Sequence, residues 1–169
     1  GPYFAWADIR PFPMGLQEYA MTSINGSSAG AADTNVDRTE TNRVVADGLV
    51  WEVSFDQKEL RARKPARGRL RVSGPDGVGR RDLEPFMESF IHFAGFYEDR
   101  QTVLHLHPVG APVLDHSVRG GPELEFVLFA PRAGFVRLFA QAKVGGVDKK
   151  GAFGLRIGPW DGTEVICAP

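Results

Sequence analysis

Short runs of alternating apolar and polar residues, separated by turns that contain glycine or proline, dominate the chain from Leu49 onward. One run places Trp51, Val53 and Phe55 on the same face of a strand, because successive strand side chains point to opposite faces. No apolar pattern with the 3.6-residue period of a helix persists for ten residues in this region. The pattern argues against a helical bundle and predicts an all-β domain.

Turn signals divide this region into about seven or eight short strands over roughly 120 residues, as in a two-sheet sandwich. Residues 67–73 are expected to form a strand with Leu70 and Val72 towards the core. The Gly145-Gly146 pair is typical of a hairpin turn. Residues 123–129 and 135–144 are expected to pair across the turn between them. The predicted fold is an antiparallel β-sandwich with immunoglobulin-like architecture.

The first 45 residues have a different character, so we divide the chain into residues 1–45 and a sandwich domain of residues 46–169. Gly1-Pro2 is interpreted as the remnant of a cleaved tag, and a native leader or membrane anchor before it is an open expectation. The aromatic stretch with Phe4 and Trp6 is interrupted by prolines and is expected to form an irregular N-terminal arm packed on the main body. A Gly/Ser-rich linker follows it.

Composition excludes several classes of protein. Twenty Lys and Arg against 21 Asp and Glu give a formal net charge of −1, which argues against a nucleic-acid partner. No apolar run in the sequence reaches about 18 residues, the length of a membrane-spanning helix. The single cysteine, Cys167, excludes an internal disulfide and a cysteine-based metal cage.

Histidines form the most specific pattern in the chain. His105 and His107 alternate with Leu104 and Leu106 at the end of a predicted strand. Because strand side chains alternate between faces, the two histidines share one face if the leucines face the core. The sequence therefore predicts a pair of imidazoles at the rim of a sheet.

A third histidine joins this pair if the preceding hairpin turns at Asp99-Arg100. In that register His92 lies opposite His107, with Cβ atoms about 4.5–5.5 Å apart. His92, His105 and His107 would then converge, and imidazole is a good ligand for zinc, copper, nickel or iron. A turn one residue longer or shorter would send His92 to the other face. On a solvated strand face, the same histidines would bind nothing.

Further ligands are available near this hairpin. Met87 could supply the thioether that copper favours, although a methionine beside Phe86 and Phe90 is also typical of core packing. His116 could fold back from the following loop as a fourth ligand, or it could be an exposed loop histidine. The two interpretations of each residue stay open at this level.

Several short motifs carry a resemblance to a known family. Region 51–157 resembles secreted or periplasmic bacterial β-sandwich domains often found near metal-handling proteins. The matching motifs are Asp82-Leu83-Glu84-Pro85-Phe86-Met87, His92, His105-Leu106-His107-Pro108, Gly110, Gly121-Pro122-Glu123-Leu124-Glu125-Phe126, Phe129-Ala130-Pro131 and Gly134-Phe135-Val136-Arg137-Leu138-Phe139-Ala140-Gln141. The resemblance implies a periplasmic or extracellular domain that binds copper or another divalent metal ion through the three histidines. It covers none of the first 45 residues.

This chain departs from the family pattern where a Met-Gly pair is expected, because Glu88 follows Met87. Glu88 could close the site, add a carboxylate ligand or face solvent. All three roles stay open at this level.

Two charged groups have simpler interpretations. Glu123 and Glu125 share one strand face, as paired glycosidase carboxylates would, but a solvated face is the preferred interpretation. A basic cluster could meet an acidic partner, but we interpret it as protection of a sheet edge. The cluster comprises Arg61, Arg63, Lys64, Arg67, Arg69 and Arg71.

The leading hypothesis from sequence is an extracytoplasmic metal-binding domain, with copper preferred over zinc, that binds or delivers metal rather than catalysing a reaction. Its expected partners are the metal ion and another envelope protein. The first alternative is an immunoglobulin-like structural or interaction module of a larger envelope protein, with no metal. The second is a metal-dependent hydrolase whose open coordination position activates water.

Overall fold

The computed structural model describes residues 2–9, 18–25, 37–104 and 106–162, and every regular element within them is a β-strand. The strands are β1 (Pro2–Ile9), β2 (Glu18–Asn25), β3 (Arg43–Ala46), β4 (Leu49–Phe55), β5 (Leu60–Arg61), β6 (Pro65–Ser73), β7 (Leu83–Glu84), β8 (His92–Tyr97), β9 (Val103–Leu104), β10 (Leu106–Pro108), β11 (Glu123–Phe129), β12 (Gly134–Val144) and β13 (Val147–Gly158). No helix long and apolar enough to cross a membrane occurs in these described ranges.

Two larger sheets enclose one apolar core. The first has the strand order β10-β11-β6-β4-β3, and the second has the order β5-β13-β12-β8-β9, with β7 paired to β12. All neighbours are antiparallel except β5 and β13. The core draws on both sheets, with Trp51 and Leu70 from the first and Leu138 and Phe153 from the second. The prediction of an all-β antiparallel protein is confirmed, and the arrangement is sandwich-like.

Faces of the strands follow the alternation in the sequence. Trp51 and Val53 are buried, and a side chain at Gly151 on the opposite sheet would collide with the Trp51 ring. Leu70 and Val72 are also buried, as the alternation predicts. Alternating apolar residues have thus filled the space between the sheets.

The long β12–β13 hairpin turns at Gly145-Gly146, as predicted. Both glycines have positive φ angles, of 58° and 74°, which glycine adopts without steric cost. The hairpin supplies the central pair of the second sheet.

Two predictions of strand arrangement are wrong. β11 and β12 do not pair, because β11 lies between β10 and β6 in the first sheet whereas β12 belongs to the second. The arginines of β6 do not protect an edge, because β6 lies between β11 and β4. Instead Arg69 lies near Asp56 at 3.2 Å and Glu125 at 3.6 Å, and Arg71 lies 3.3 Å from Glu123. Alternating charges therefore cover the outer face of the first sheet.

The N-terminal arm contains regular structure, so the expectation of an irregular arm is wrong for its described residues. β1 and β2 form an antiparallel hairpin in which Trp6 pairs with Met21. The Trp6 ring lies 6.2 Å from the ring of Phe96 on the outer face of the second sheet. The arm does pack on the main body, as its aromatic content predicts.

Residues 37–46 connect the arm to the sandwich. Thr41 forms an isolated antiparallel bridge with Gly154, and β3 then pairs with β4 at the edge of the first sheet. The predicted division between residues 45 and 46 falls within β3. Most of the predicted Gly/Ser-rich linker lies outside the described residues.

Candidate functional site

A cleft of about 830 Å³ opens where β8 begins and where β10 and β11 meet the following loop. Met87, Glu88 and His92 line one side, and Leu106 and Pro108 of β10 line the other. The remaining lining residues are Ser89, Phe90, Ile91, Phe93, Val109, Gly110, Ala111, Pro112, Val113, Glu123, Leu124 and Glu125. Three predicted candidate ligands therefore share one cleft.

His92 is half-buried and has a defined orientation. Its Nε2 lies 2.7 Å from the carbonyl oxygen of Phe86, and the two rings meet edge to face with centroids 5.0 Å apart. A carbonyl oxygen can only accept, so Nε2 is the donor, and in the neutral ring the lone pair then lies on Nδ1. Among the described residues, no second hydrogen-bond partner of this ring is found.

A tight turn at residues 86–89 supplies that carbonyl group. Phe86 and Ser89 exchange both backbone hydrogen bonds, at 2.7 and 3.1 Å. Met87 and Glu88 between them have φ angles of 47° and 63°, in the left-handed region that glycine favours. The glycine expected after Met87 would therefore suit this backbone, and Glu88 occupies it at a steric cost.

The turn presents two side chains to solvent. Met87 is 62% exposed, so core packing is not its role. Glu88 is exposed as well, and its carbonyl oxygen accepts a hydrogen bond of 2.8 Å from Val113 N–H in the opposite loop. Thioether, carboxylate and imidazole groups thus line the same opening.

The β8–β9 hairpin has the register predicted from its turn. Gly95 pairs with Leu104 and Phe96 with Val103. Leu104 and Leu106 are both buried, as predicted. The ladder does not continue, however, because the chain leaves the second sheet after β9 and joins the first as β10.

This change of sheet alters the neighbours of the histidines. His107 pairs with Val127 in the first sheet, and His92 pairs with Gln141 in the second. The expected pairing of His92 with His107 is therefore absent from the described ladder. His105 lies outside the described residues, and the described part of His107 is its backbone.

Contacts around Asp99 hold the hairpin turn in place. Its carboxylate accepts hydrogen bonds from Gln101 N–H and from the backbone and hydroxyl of Thr102, at 2.6–2.9 Å. Arg132 lies 2.5 Å from the same carboxylate and 4.2 Å above the Tyr97 ring. Burial raises the pKa of Asp99, but these hydrogen bonds outweigh burial and lower it to about 2. Burial raises the pKa of the Tyr97 phenol, whose hydroxyl donates to the Arg132 carbonyl.

His116 lies outside the lining of the cleft and is exposed. Its loop is fixed by Asp115, whose carboxylate accepts hydrogen bonds from the Ser117 hydroxyl and N–H. These bonds lower the pKa of Asp115. The described loop therefore places His116 outside the cleft that Met87, Glu88 and His92 line.

Glu123 and Glu125 also line the cleft, which the sequence did not predict. Both lie on the exposed face of β11 and pair with arginines of β6. Within the described residues, which omit His105 and the His107 side chain, no group of three histidine, cysteine, aspartate or glutamate residues is arranged to hold a metal ion.

Fold and cleft together define a sandwich-like all-β domain with a half-open cleft at the junction of its two sheets. Residues 43–158 match a family model described as a domain of unknown function (DUF8832). The chain belongs to this family. No curated protein and no solved structure matches the chain significantly.

Proposed function

We propose that the cleft binds a copper or zinc ion through His92, His105 and His107, and that the protein binds or delivers metal. The observation that carries this proposal is the hydrogen bond from His92 Nε2 to the Phe86 carbonyl oxygen. Metal-binding histidines commonly donate their second ring N–H to a carbonyl or carboxylate, which orients the ring and presents the other nitrogen to the metal. His92 has this arrangement at the wall of a cleft.

The donor types near His92 fit copper best. An exposed thioether at Met87 is a soft ligand suited to cuprous copper, whereas imidazole serves copper and zinc alike. Glu88 would add an oxygen ligand or a negative charge that attracts the cation. His116 is excluded from our proposed ligand set because it is outside the cleft lining.

The His105–His107 segment is the second contributor. Leu106 and Pro108 line the cleft on either side of residue 107, so β10 contributes to one of its walls. Ligands from β10 and β8 would belong to different sheets, and a bound ion would connect them. A partner protein would receive the metal ion from this cleft or deliver it there.

Titration of the metal-free protein with Cu(II), Cu(I) and Zn(II), followed by calorimetry and copper spectroscopy, tests this proposal. We expect one ion per chain, bound at least tenfold more weakly by His92→Ala and by the double variant His105→Ala/His107→Ala. His116→Ala is the matched control and should bind as the unmodified protein does. Met87→Leu should weaken Cu(I) binding and leave Zn(II) binding unchanged.

Equal binding by all variants, or no stoichiometric binding by the unmodified protein, would overturn the metal proposal. The second outcome would favour an interaction or structural module with immunoglobulin-like architecture. That finer fold assignment rests on two mainly antiparallel sheets around one core and on a chain segment that changes sheet, as sandwich strands can. Turnover of an ester or phosphoester that a chelator abolishes would favour the hydrolase alternative.

The proposed compartment is the periplasm or the extracellular space, with another envelope protein as metal donor or acceptor. Support for this part is the sequence resemblance of region 51–157 alone. Fractionation of native cells with an antibody to the chain would test it, and a signal in the cytoplasmic fraction would contradict it.

A further inference from the structure

The arm hairpin and the second sheet enclose an aromatic pocket that is separate from the histidine cleft. It has a volume of about 480 Å³, within the range of small-molecule sites. Tyr3, Phe4 and Trp6 of β1 line one side, and Phe96 and Phe139 of the second sheet line the other. We propose that this pocket binds a neutral small molecule with a flat apolar ring system.

Two phenylalanines form the floor of the pocket. Phe96 and Phe139 lie on the outer face of the second sheet, with ring centroids 6.2 Å apart. Phe139 is still 40% exposed beneath the arm. A two-stranded hairpin alone is at best marginally stable in water, so β1 and β2 depend on packing such as that of Trp6 against Phe96. The arm therefore builds a pocket without filling it.

Three charged residues, Glu98, Arg100 and Arg137, line the pocket. Arg137 lies 3.0 Å from Asp37 and Glu98 lies 2.6 Å from Arg38, so these two charges have partners in the segment that follows the arm. Hydrogen bonds from Thr39 and the contact with Arg137 lower the pKa of Asp37 to about 2, which keeps it ionised at neutral pH. A charged ligand would have to compete with these pairs, and a neutral one would not.

Aromatic side chains make up most of the pocket lining. Aromatic rings pair with other rings in edge-to-face or offset arrangements at centroid distances of about 4.5–7 Å. Trp6, Phe96 and Phe139 present ring edges and faces at tilted angles, with 58° between the first two and 65° between the last two. A flat ring placed between the arm and the sheet can contact all three.

Fluorescence titration with N-phenyl-1-naphthylamine, a neutral probe that carries a naphthyl and a phenyl group, tests this inference on the whole protein. We expect saturable binding of one probe per chain. Trp6→Ala and Phe139→Ala should each weaken binding at least tenfold. Val147→Ala and Leu114→Ala remove exposed apolar side chains elsewhere and should change binding less than twofold. The sulfonated analogue 8-anilinonaphthalene-1-sulfonate should bind at least tenfold more weakly than the neutral probe.

Several outcomes would overturn the inference: no saturable binding, equal loss in all four variants, or tighter binding of the sulfonated probe. Sedimentation at increasing protein concentration tests whether a second copy of the chain occupies the pocket. Self-association lost in Phe139→Ala would show that a second copy occupies this face instead. A Trp6→Phe variant, which keeps an aromatic ring, should retain binding even if Trp6→Ala perturbs the arm.

Discussion

The ring of His92 is held by the backbone of Phe86, six residues earlier, through a hydrogen bond of 2.7 Å. The turn that presents this carbonyl group contains Met87 and Glu88, so one short segment orients the imidazole and supplies two further donor groups. Cleft geometry therefore depends on a turn with two left-handed residues.

Replacement of His92 by alanine should weaken copper or zinc binding at least tenfold and should lower the free energy of unfolding by no more than about 1.5 kcal/mol. The ring is half-buried and makes one hydrogen bond to the backbone, and such bonds contribute about 0.5–1.5 kcal/mol. Isothermal titration and urea unfolding of the same preparation would separate the two effects. A large stability loss with unchanged metal binding would assign His92 to the fold.

Replacement of Glu88 by glycine should stabilise the fold by about 0.5 kcal/mol. Glu88 has a φ of 63°, where residues with a Cβ pay about 1–2 kcal/mol, and the larger chain entropy of glycine offsets part of the gain. Asp148→Gly in β13 is the control, because strand residues do not need positive φ, and it should destabilise the protein. Urea midpoints at constant slope would measure both changes, and a destabilised Glu88→Gly would contradict the strain argument.

Stability should fall as the pH falls through the range from 3.8 towards 2, and Asp99 should contribute to this loss. Its pKa is lowered from 3.8 to about 2 in the folded state, so its stabilising contribution is present above 3.8 and disappears as the folded carboxylate is protonated. Because the pair with Arg132 is partly exposed, we expect about 1 kcal/mol after allowance for solvent screening.

Asp99→Asn should remove that part of the pH dependence. The comparison is the difference in unfolding free energy between the two proteins, measured from about pH 2 to pH 6. The difference should shrink towards acid pH. A difference that is constant with pH would assign the effect of the substitution to packing instead.

Replacement of Gly151 by alanine should destabilise the protein by about 1–3 kcal/mol, the usual cost of overpacking a core. A Cβ at this position would lie 2.7 Å from Cγ of Trp51, which is fully buried and cannot move away easily. Gly151→Ala should cost less stability in a Trp51→Ala background, which lacks the colliding Cγ atom, than in the unmodified protein. Thermal unfolding of the four proteins would reveal this coupling, and strict additivity would contradict the proposed collision.

Much of the frame can be predicted from the sequence because it depends on local rules. Alternation placed Trp51, Leu70 and Leu106 in the core, and paired glycines located the β12–β13 turn. The register of the β8–β9 hairpin followed from the chemistry of its turn residues. Each of these features is decided by a few neighbouring side chains.

Relationships between distant segments could not be predicted in the same way. The chain passes from the second sheet to the first within two residues, and no local pattern around Leu104 signals that change. The arginines of β6 look alike on an edge or in the centre of a sheet, because only strand order distinguishes the two. The hydrogen bond from His92 to the Phe86 carbonyl oxygen could not be predicted either, because every residue type carries the same backbone acceptor.

The passage of the chain from β9 to β10 has a mechanical consequence. Because these strands are tied to opposite sheets, any sliding of one sheet over the other changes the distance between the start of β8 and the wall formed by β10. Substitutions in the core between the sheets, far from any histidine, can therefore change the width of the cleft. A ligand that contacts both walls would in turn restrict the movement of one sheet relative to the other.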